Sequence, residues 1–261
     1  ISSDEPVIPH GNKVHISPSS LTSFADCGLK WFLERSGAQD GDSSAQLLGV
    51  AIHYIASELH TKPGLTYEEA RAQLETAWPV VDQNVGWIKT KQLRDATRML
   101  ERLFEWHNAN LRELIFVEKN FALQVGRAEL SGSVDRLERD PISGQYFIVD
   151  IKTGAPISKA ETEEHKQLKA YQLGVVQGGF EELPMGAESA GAGLLFLKKD
   201  TKKNETIDQL PVDADAFSQE IEETAESMAA STFSAVINKR CSTCAVRSMC
   251  PLQSEGRSVI E

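Results

Sequence analysis

The sequence predicts an α/β protein in which a mixed sheet is flanked by helices. Three observations carry this expectation. Apolar residues recur at helical spacing through the first 112 positions, three consecutive β-rich stretches follow over 114–152, and beyond them helical and extended stretches alternate. An order of helices, three strands, a helix and a strand packs helices against a sheet rather than sheet against sheet.

The bulk numbers set the frame. The 261 residues are 41% hydrophobic and 25% charged, which is ordinary for a globular protein with a sizeable core. With no repeat and no long low-complexity linker, a single domain over 1–261 is the simplest expectation. No apolar run is long enough for a bilayer and no signal peptide is visible, so no membrane association and a cytoplasmic location are the default expectations. A net charge of −11 argues against a cationic DNA coat but leaves room for a basic channel on one face.

Residues 1–16 read as an extended lead-in. Ser17-Pro18 starts a helix, as N-cap and first helical residue, and Leu21, Phe24, Trp31 and Phe32 continue it with Cys27 in its middle. A polar loop spans Gly37–Ser43. The next helix, Ser44–His60, buries Leu48, Ile52, Ile55 and Leu59, and His53 projects beside that stripe between the small residues Gly49 and Ala56. Thr66 and Glu69 make a capping box for a short helix ending at Trp78-Pro79. A longer helix, Ile88–Arg112, sets Leu93, Ala96, Leu100, Leu103, Phe104 and Leu111 against an opposite face of Lys91, Arg94, Arg98 and Arg102.

Strands are expected at 114–125, 127–139 and 145–152, with turns at Gly126 and at Asp140–Gly144. A helix at Glu161–Gln177 ends at Gly178-Gly179; strands follow at Ala192–Leu197 and Thr206–Leu210, separated by a basic turn with Lys198, Lys199, Lys202 and Lys203. An acidic helix over Asp213–Asn238 reads as a solvated face, and a cysteine cluster closes the chain.

The chemistry gathers at Asp150-Ile151-Lys152. Alternation along a strand puts Asp150 and Lys152 on one face, and Asp135 sits near the end of the preceding strand. Two carboxylates and a lysine on neighbouring strands are the parts of a Mg2+ or Mn2+ site for phosphodiester hydrolysis, with the Ile151 carbonyl as a further oxygen ligand. His53 adds an imidazole candidate. Gln167 and Tyr171, at i and i+4, share the helix face that follows the lysine. A D-x-K tripeptide alone is common by chance, so the set as a whole carries the weight.

That ordered set, His53, Gly132-Ser133-Val134-Asp135-Arg136, Asp150-Ile151-Lys152-Thr153-Gly154 and Gln167-x3-Tyr171, resembles the RecB-like branch of the PD-(D/E)XK nucleases. The resemblance runs from Ser17 to Pro251. It implies a restriction-endonuclease-like core over 114–210 carrying N-terminal helices at 17–60. It also implies metal ligation by His53, Asp135 and Asp150, catalytic assistance by Lys152, and support from Gln167 and Tyr171. Glu118 resembles a recurring acid of the family but is left outside the catalytic set.

Cys241-x2-Cys244-x5-Cys250 puts three thiols near one centre, and Cys27 must arrive through the fold. Spacing alone leaves a [4Fe–4S] cluster and tetrahedral zinc even, with disulfides a third option. The run Ser17-Pro18-Ser19-Ser20-Leu21 leading to Cys27, with a distant triplet over 241–250, resembles the iron–sulfur subset of AddAB-type and AdnAB-type helicase–nucleases and CRISPR adaptation nucleases. It implies a structural [4Fe–4S] staple between the chain's N- and C-terminal segments, and a helicase partner in cis or in trans.

For nucleic acid, the stripe Lys91, Arg94, Arg98 and Arg102 with Trp87 is one candidate surface, and the basic turn is another. Neither carries a base-reading motif. The expectation is a metal-dependent DNA nuclease, an exonuclease or end-processing enzyme of repair or recombination. Its rivals are a DNA-end-binding module with little activity alone and a zinc-stapled regulatory protein.

Overall fold

The computed structural model describes residues 4–38, 44–81, 87–198 and 206–257. A six-stranded mixed sheet carries helices on both faces. The lead-in contains a short strand, β1 (Val14–Ile16), because Val14 and Ile16 bury one face while His15 stays out. Two helices follow, α1 (Pro18–Asp26) and α2 (Gly28–Arg35), where one was expected. Cys27 is extended between them, and Leu29 N–H turns away from the helix to the Ser234 carbonyl at 3.0 Å.

Next come α3 (Ser44–Thr61), α4 (Tyr67–Val81) and α5 (Trp87–Ala109). The Thr66–Glu69 capping box forms as expected, and α4 runs through Pro79 to Val81 instead of stopping there. The expected end of α5 at Arg112 is corrected to Ala109. Asn110 breaks the helix: its amide holds Glu138 and its side-chain oxygen accepts Arg112 N–H at 3.2 Å. Leu111, expected on the apolar face, is consequently 89% exposed.

Strands β2 (Glu113–Val125), β3 (Ala128–Arg139) and β4 (Tyr146–Lys152) form an antiparallel run. β5 (Ser189–Phe196) then pairs parallel with β4, and β6 (Ile207–Gln209) closes the edge. The crossover from β4 to β5 holds two helices, α6 (Lys159–Glu163) and α7 (Lys166–Val176), rather than one. Ser158 and Glu161 make a second capping box that starts α6 early, and the chain turns at Glu164-His165. The acidic helix α8 (Ala214–Ala229) ends nine residues short of Asn238. Residues 230–238 instead lie along α2, where Phe233 stacks on Phe32 with ring centroids 4.3 Å apart. A short helix, α9 (Ser254–Arg257), follows the cysteines. Most of the loop expected at 37–43 and most of the basic turn, with Lys199, Lys202 and Lys203, lie outside the described residues.

Two apolar layers sandwich the sheet. Tyr146 and Ile148 of β4 pack with α1, α7 and α8, while Phe147, Val149 and Ile151 pack with α3, α4 and α5. Such two-sided burial is what a central strand with a parallel neighbour requires. One irregularity positions the site. β2 occupies one edge of β3 along its length, so β1 and β4 must share the other: β1 pairs with 128–130 and β4 with 136–139. Ser131 to Asp135 are left without a strand partner on that edge. α1 fills the start of this gap so closely that a Cβ on Gly132 would lie 2.8 Å from Pro18 Cδ.

Candidate metal and catalytic site

The gap in the sheet gathers the acids. The β3–β4 ladder ends at Arg136 opposite Val149, and one further step brings Asp135 level with Asp150. On the other edge Glu118 lies between the pairs Val117–Arg136 and Lys119–Val134, level with Asp135. Three acids on three adjacent strands thus form a row. In place of a ladder bond, Asp135 Oδ2 accepts the Ile151 N–H at 2.7 Å. A strand residue points its N–H and C=O to the same edge, so the Ile151 carbonyl also faces the gap.

His53 arrives from α3. Its Nδ1 lies 3.4 Å from Asp135 Oδ1 and 3.7 Å from Glu118 Oε1. Among the described residues these three form a group whose donor atoms all fall within 4.8 Å of one another. Burial alone would lower the His53 pKa, but the hydrogen bonds and charges of Asp135 and Glu118 outweigh it and raise it to about 10. Glu118 has φ +45°, the left-handed region that non-glycine residues avoid. Strain of that kind concentrates at functional sites. No periodicity in the sequence marks this position; the family resemblance points to it, and its backbone conformation and its place beside His53 and Asp135 single it out in the fold.

Asp150 is 1% exposed, and burial followed by the charge of Asp135 raises its pKa to about 6. Its Oδ2 lies 2.7 Å from Lys152 Nζ as an ion pair. Lys152 Nζ also donates to Gln167 Oε1 at 3.4 Å, and Gln167 Nε2 donates to the Tyr171 hydroxyl at 2.7 Å. Tyr171 is buried, which together with the charge of Asp150 pushes its pKa up. The expected i, i+4 pair therefore forms a relay ending on the lysine. His165, at the start of α7, was not expected near the site; burial and then the Lys152 charge lower its pKa to about 4.

The row fits a divalent cation. Three carboxylates supply hard oxygen donors and one imidazole a borderline nitrogen, and His53, Glu118 and Asp135 bring their donor atoms within 4.8 Å of one another.

At the opposite end of α1, Cys27, Cys241, Cys244 and Cys250 line one cavity, and all four are free thiols. No three of their sulfurs lie within 4.8 Å of one another. Asn238 N–H points at Cys241 Sγ from 3.3 Å. On α5, Trp87 is 75% exposed, and Lys91, Arg94 and Arg98 are exposed beside it. Arg102, expected in the same stripe, is instead half-buried and donates to the Leu197 carbonyl at the end of β5. No described helix is long and apolar enough to cross a membrane.

None of the curated proteins matches the chain. Among solved structures it is similar to a protein from Eubacterium rectale described as a "Putative exonuclease", at 18% identity over 83% of this chain and 79% of that one, with a TM-score of 0.45. It is also similar to SSO0001, at 14% identity over 80% of this chain and 96% of that one, with a TM-score of 0.36. Likeness at that level bears on neither activity nor substrate. The model of the PD-(D/E)XK nuclease superfamily, by contrast, matches residues 15–251. With the match running from β1 past the last cysteine, the chain belongs to the PD-(D/E)XK nuclease superfamily.

Proposed function

We propose that the protein is a metal-dependent DNA nuclease that trims or processes strand ends, acting as one domain. The observation that carries this is the row of Glu118, Asp135 and Asp150 across three strands, closed by His53 and flanked by Lys152. His53, Glu118, Asp135, Asp150 and the Ile151 carbonyl would hold Mg2+ or Mn2+. Such a cation, when bound, makes a water nucleophilic near neutral pH and neutralises charge on the phosphate. Asp135 fixes the edge of β4 through the Ile151 N–H. Lys152, anchored by Asp150 and Gln167, presents an ammonium to the scissile phosphate. Tyr171, held neutral by burial, keeps Gln167 oriented toward that ammonium.

The cavity lined by Cys27, Cys241, Cys244 and Cys250 would hold a [4Fe–4S] cluster. Four thiolates suit that cluster and tetrahedral zinc alike, and the sequence resemblance to the iron–sulfur subset favours the cluster. The exposed stripe Trp87, Lys91, Arg94 and Arg98 supplies a surface for the phosphate backbone. A role in repair or recombination beside a helicase rests on the sequence resemblance alone.

The test is a time course on end-labelled single- and double-stranded DNA with and without Mg2+ or Mn2+. Metal-dependent cutting is expected from the wild type and none from Asp150→Asn or Lys152→Ala. Undiminished cutting by purified Asp150→Asn would overturn the proposal. A broad brown absorbance, lost on chelation, separates the cluster from colourless zinc.

A further inference from the structure

α3 carries apolar surface on the side where a solvent-facing helix is ordinarily polar. Tyr54 is 60% exposed and Val50, one turn earlier, 68%. The other side of the helix is accounted for, since Ile52, Ile55 and Ala56 are buried in one apolar layer with α4 and α5. Exposed apolar residues scattered singly need no explanation, but these two stand together at i, i+4.

Their place on the helix decides what they meet. His53 points from α3 to the acids, with Nδ1 3.4 Å from Asp135 Oδ1. Val50 is three residues before His53 and four before Tyr54, so its Cβ lies about 5–6 Å from each of theirs. At about 100° per residue, Val50 stands about 60° and Tyr54 about 100° round the helix from His53, both on the same side. The exposed pair therefore borders the acid row. The Tyr54 ring is also held: its hydroxyl donates to Glu58 Oε1 at 2.9 Å, and that buried carboxylate is paired in turn with Lys62. A ring tethered at its tip loses little further freedom when a flat group stacks on it. Toward the N-terminus of α3, about 12 Å from His53, Ala45 lines one cavity with Gln92 of α5. A strand laid along α3 from the row thus passes Val50 and reaches the end of α5 that exposes Trp87 and Lys91.

We infer that Tyr54, flanked by Val50, is a stacking platform for one unpaired base of the strand whose phosphate lies at the Asp135–Asp150 row. Neither residue carries charge, so the pair suits the flat, uncharged part of a nucleotide, while the phosphate goes to the row and Lys152. Stacking on a ring tolerates every base, because each has a π-face. The platform thus fixes the strand over Lys152 without reading sequence. A base paired in a duplex is unavailable to it, so single strands and frayed ends are favoured. The inference rests on the nuclease reading above.

The test uses the whole chain carrying Asp150→Asn, which is expected to bind without cutting. It is titrated with a labelled single strand in which one abasic position is moved stepwise from the end. One position is expected to weaken binding by about tenfold, the loss of one stacked base. Adding Tyr54→Ala is expected to weaken the intact strand by about the same factor and to erase that penalty. Tyr54→Phe, which keeps the ring and drops the bond to Glu58, is expected to retain the penalty. A flat scan, or a set of penalties that all survive Tyr54→Ala, overturns the platform. So does a chain that elutes as a dimer and becomes monomeric on Tyr54→Ala with DNA binding intact, which would give the patch to a second copy. Wild-type cleavage measured in parallel keeps the two readings apart: metal-dependent cutting with a flat scan removes the platform alone, whereas no metal-dependent cutting removes both.

Discussion

The acid row and the cysteine cavity are built by opposite means. The acids sit on adjacent strands whose register is fixed by continuous ladders, and only His53 comes from elsewhere. The cysteines sit outside regular structure. Cys27 is the break between two helices, and the C-terminal three lie in short turns reached by an extended segment. Contacts to that segment include Phe233 on Phe32 and Trp31, Leu29 N–H and Cys27 Sγ on the Ser234 carbonyl, and Asn238 Nδ2 on the Asp26 carbonyl at 2.9 Å. A site carried by a sheet can be destabilising to the fold, because the sheet stands without it. A site that joins chain ends is itself part of what holds them.

That difference gives the largest contrast. Asp150→Asn should lower cleavage by about a thousandfold or more while stabilising the metal-free protein above pH 6. The reason is the raised pKa: an aspartate at about 6 in the fold and 3.8 otherwise costs stability once ionised. Removing that charge should be worth about 2 kcal/mol in thermal or urea unfolding. A melting temperature that falls instead would break the distinction. Cys27→Ser should also lose cleavage but go the other way in stability, which falls by about 3 kcal/mol, read as melting temperature against activity. Unchanged melting in Cys27→Ser would mean that the aromatic contacts alone close the ends.

A pH series sharpens the comparison further. His165 is neutral in the fold, with its pKa lowered from 6.5 to about 4, so the unfolded chain takes up a proton first as pH falls. Stability should therefore drop as pH goes from about 6.5 toward 4 and level off below. His165→Gln should flatten that slope by about 2 kcal/mol, less than the full shift because the ring keeps some contact with water. The opposite trend comes from Asp150, whose cost disappears as pH falls below about 6. A double variant of the two should show neither slope. The smallest effect lies on α5: Arg98→Ala should weaken DNA binding a few-fold and reduce the salt slope by about one. Arg102→Ala should leave the salt slope alone and lower stability, since its guanidinium is spent on Leu197.

The strands were legible because alternation and turn residues agree. Each boundary at 114–152 lies within a residue of its expected place, and the ladder brings Asp135 level with Asp150. The helices were legible in their apolar stripes and less so at their ends. Ser158-x-x-Glu161 was a readable start signal that helical periodicity overran, whereas the halts at Asp26 and Ala229 leave little local trace. Both halts come from contacts between α2 and residues 230–238, far apart in the chain. In the basic stripe Lys91, Arg94 and Arg98 are exposed, whereas Arg102 has the spacing of a surface residue but finds a strand end.

By itself the sequence determined the strands that carry Asp135, Asp150 and Lys152 and the face each side chain takes, since side-chain alternation along a strand is a local property. Only the tertiary structure decided that β1 and β4 share one edge of β3, that Glu118 joins the row, and that Cys27 meets a triplet more than two hundred residues away. Those outcomes depend on which backbone edge is left unpaired and what packs into the gap. No window of the sequence contains that competition, because its terms come from distant segments that become neighbours only when the chain has closed.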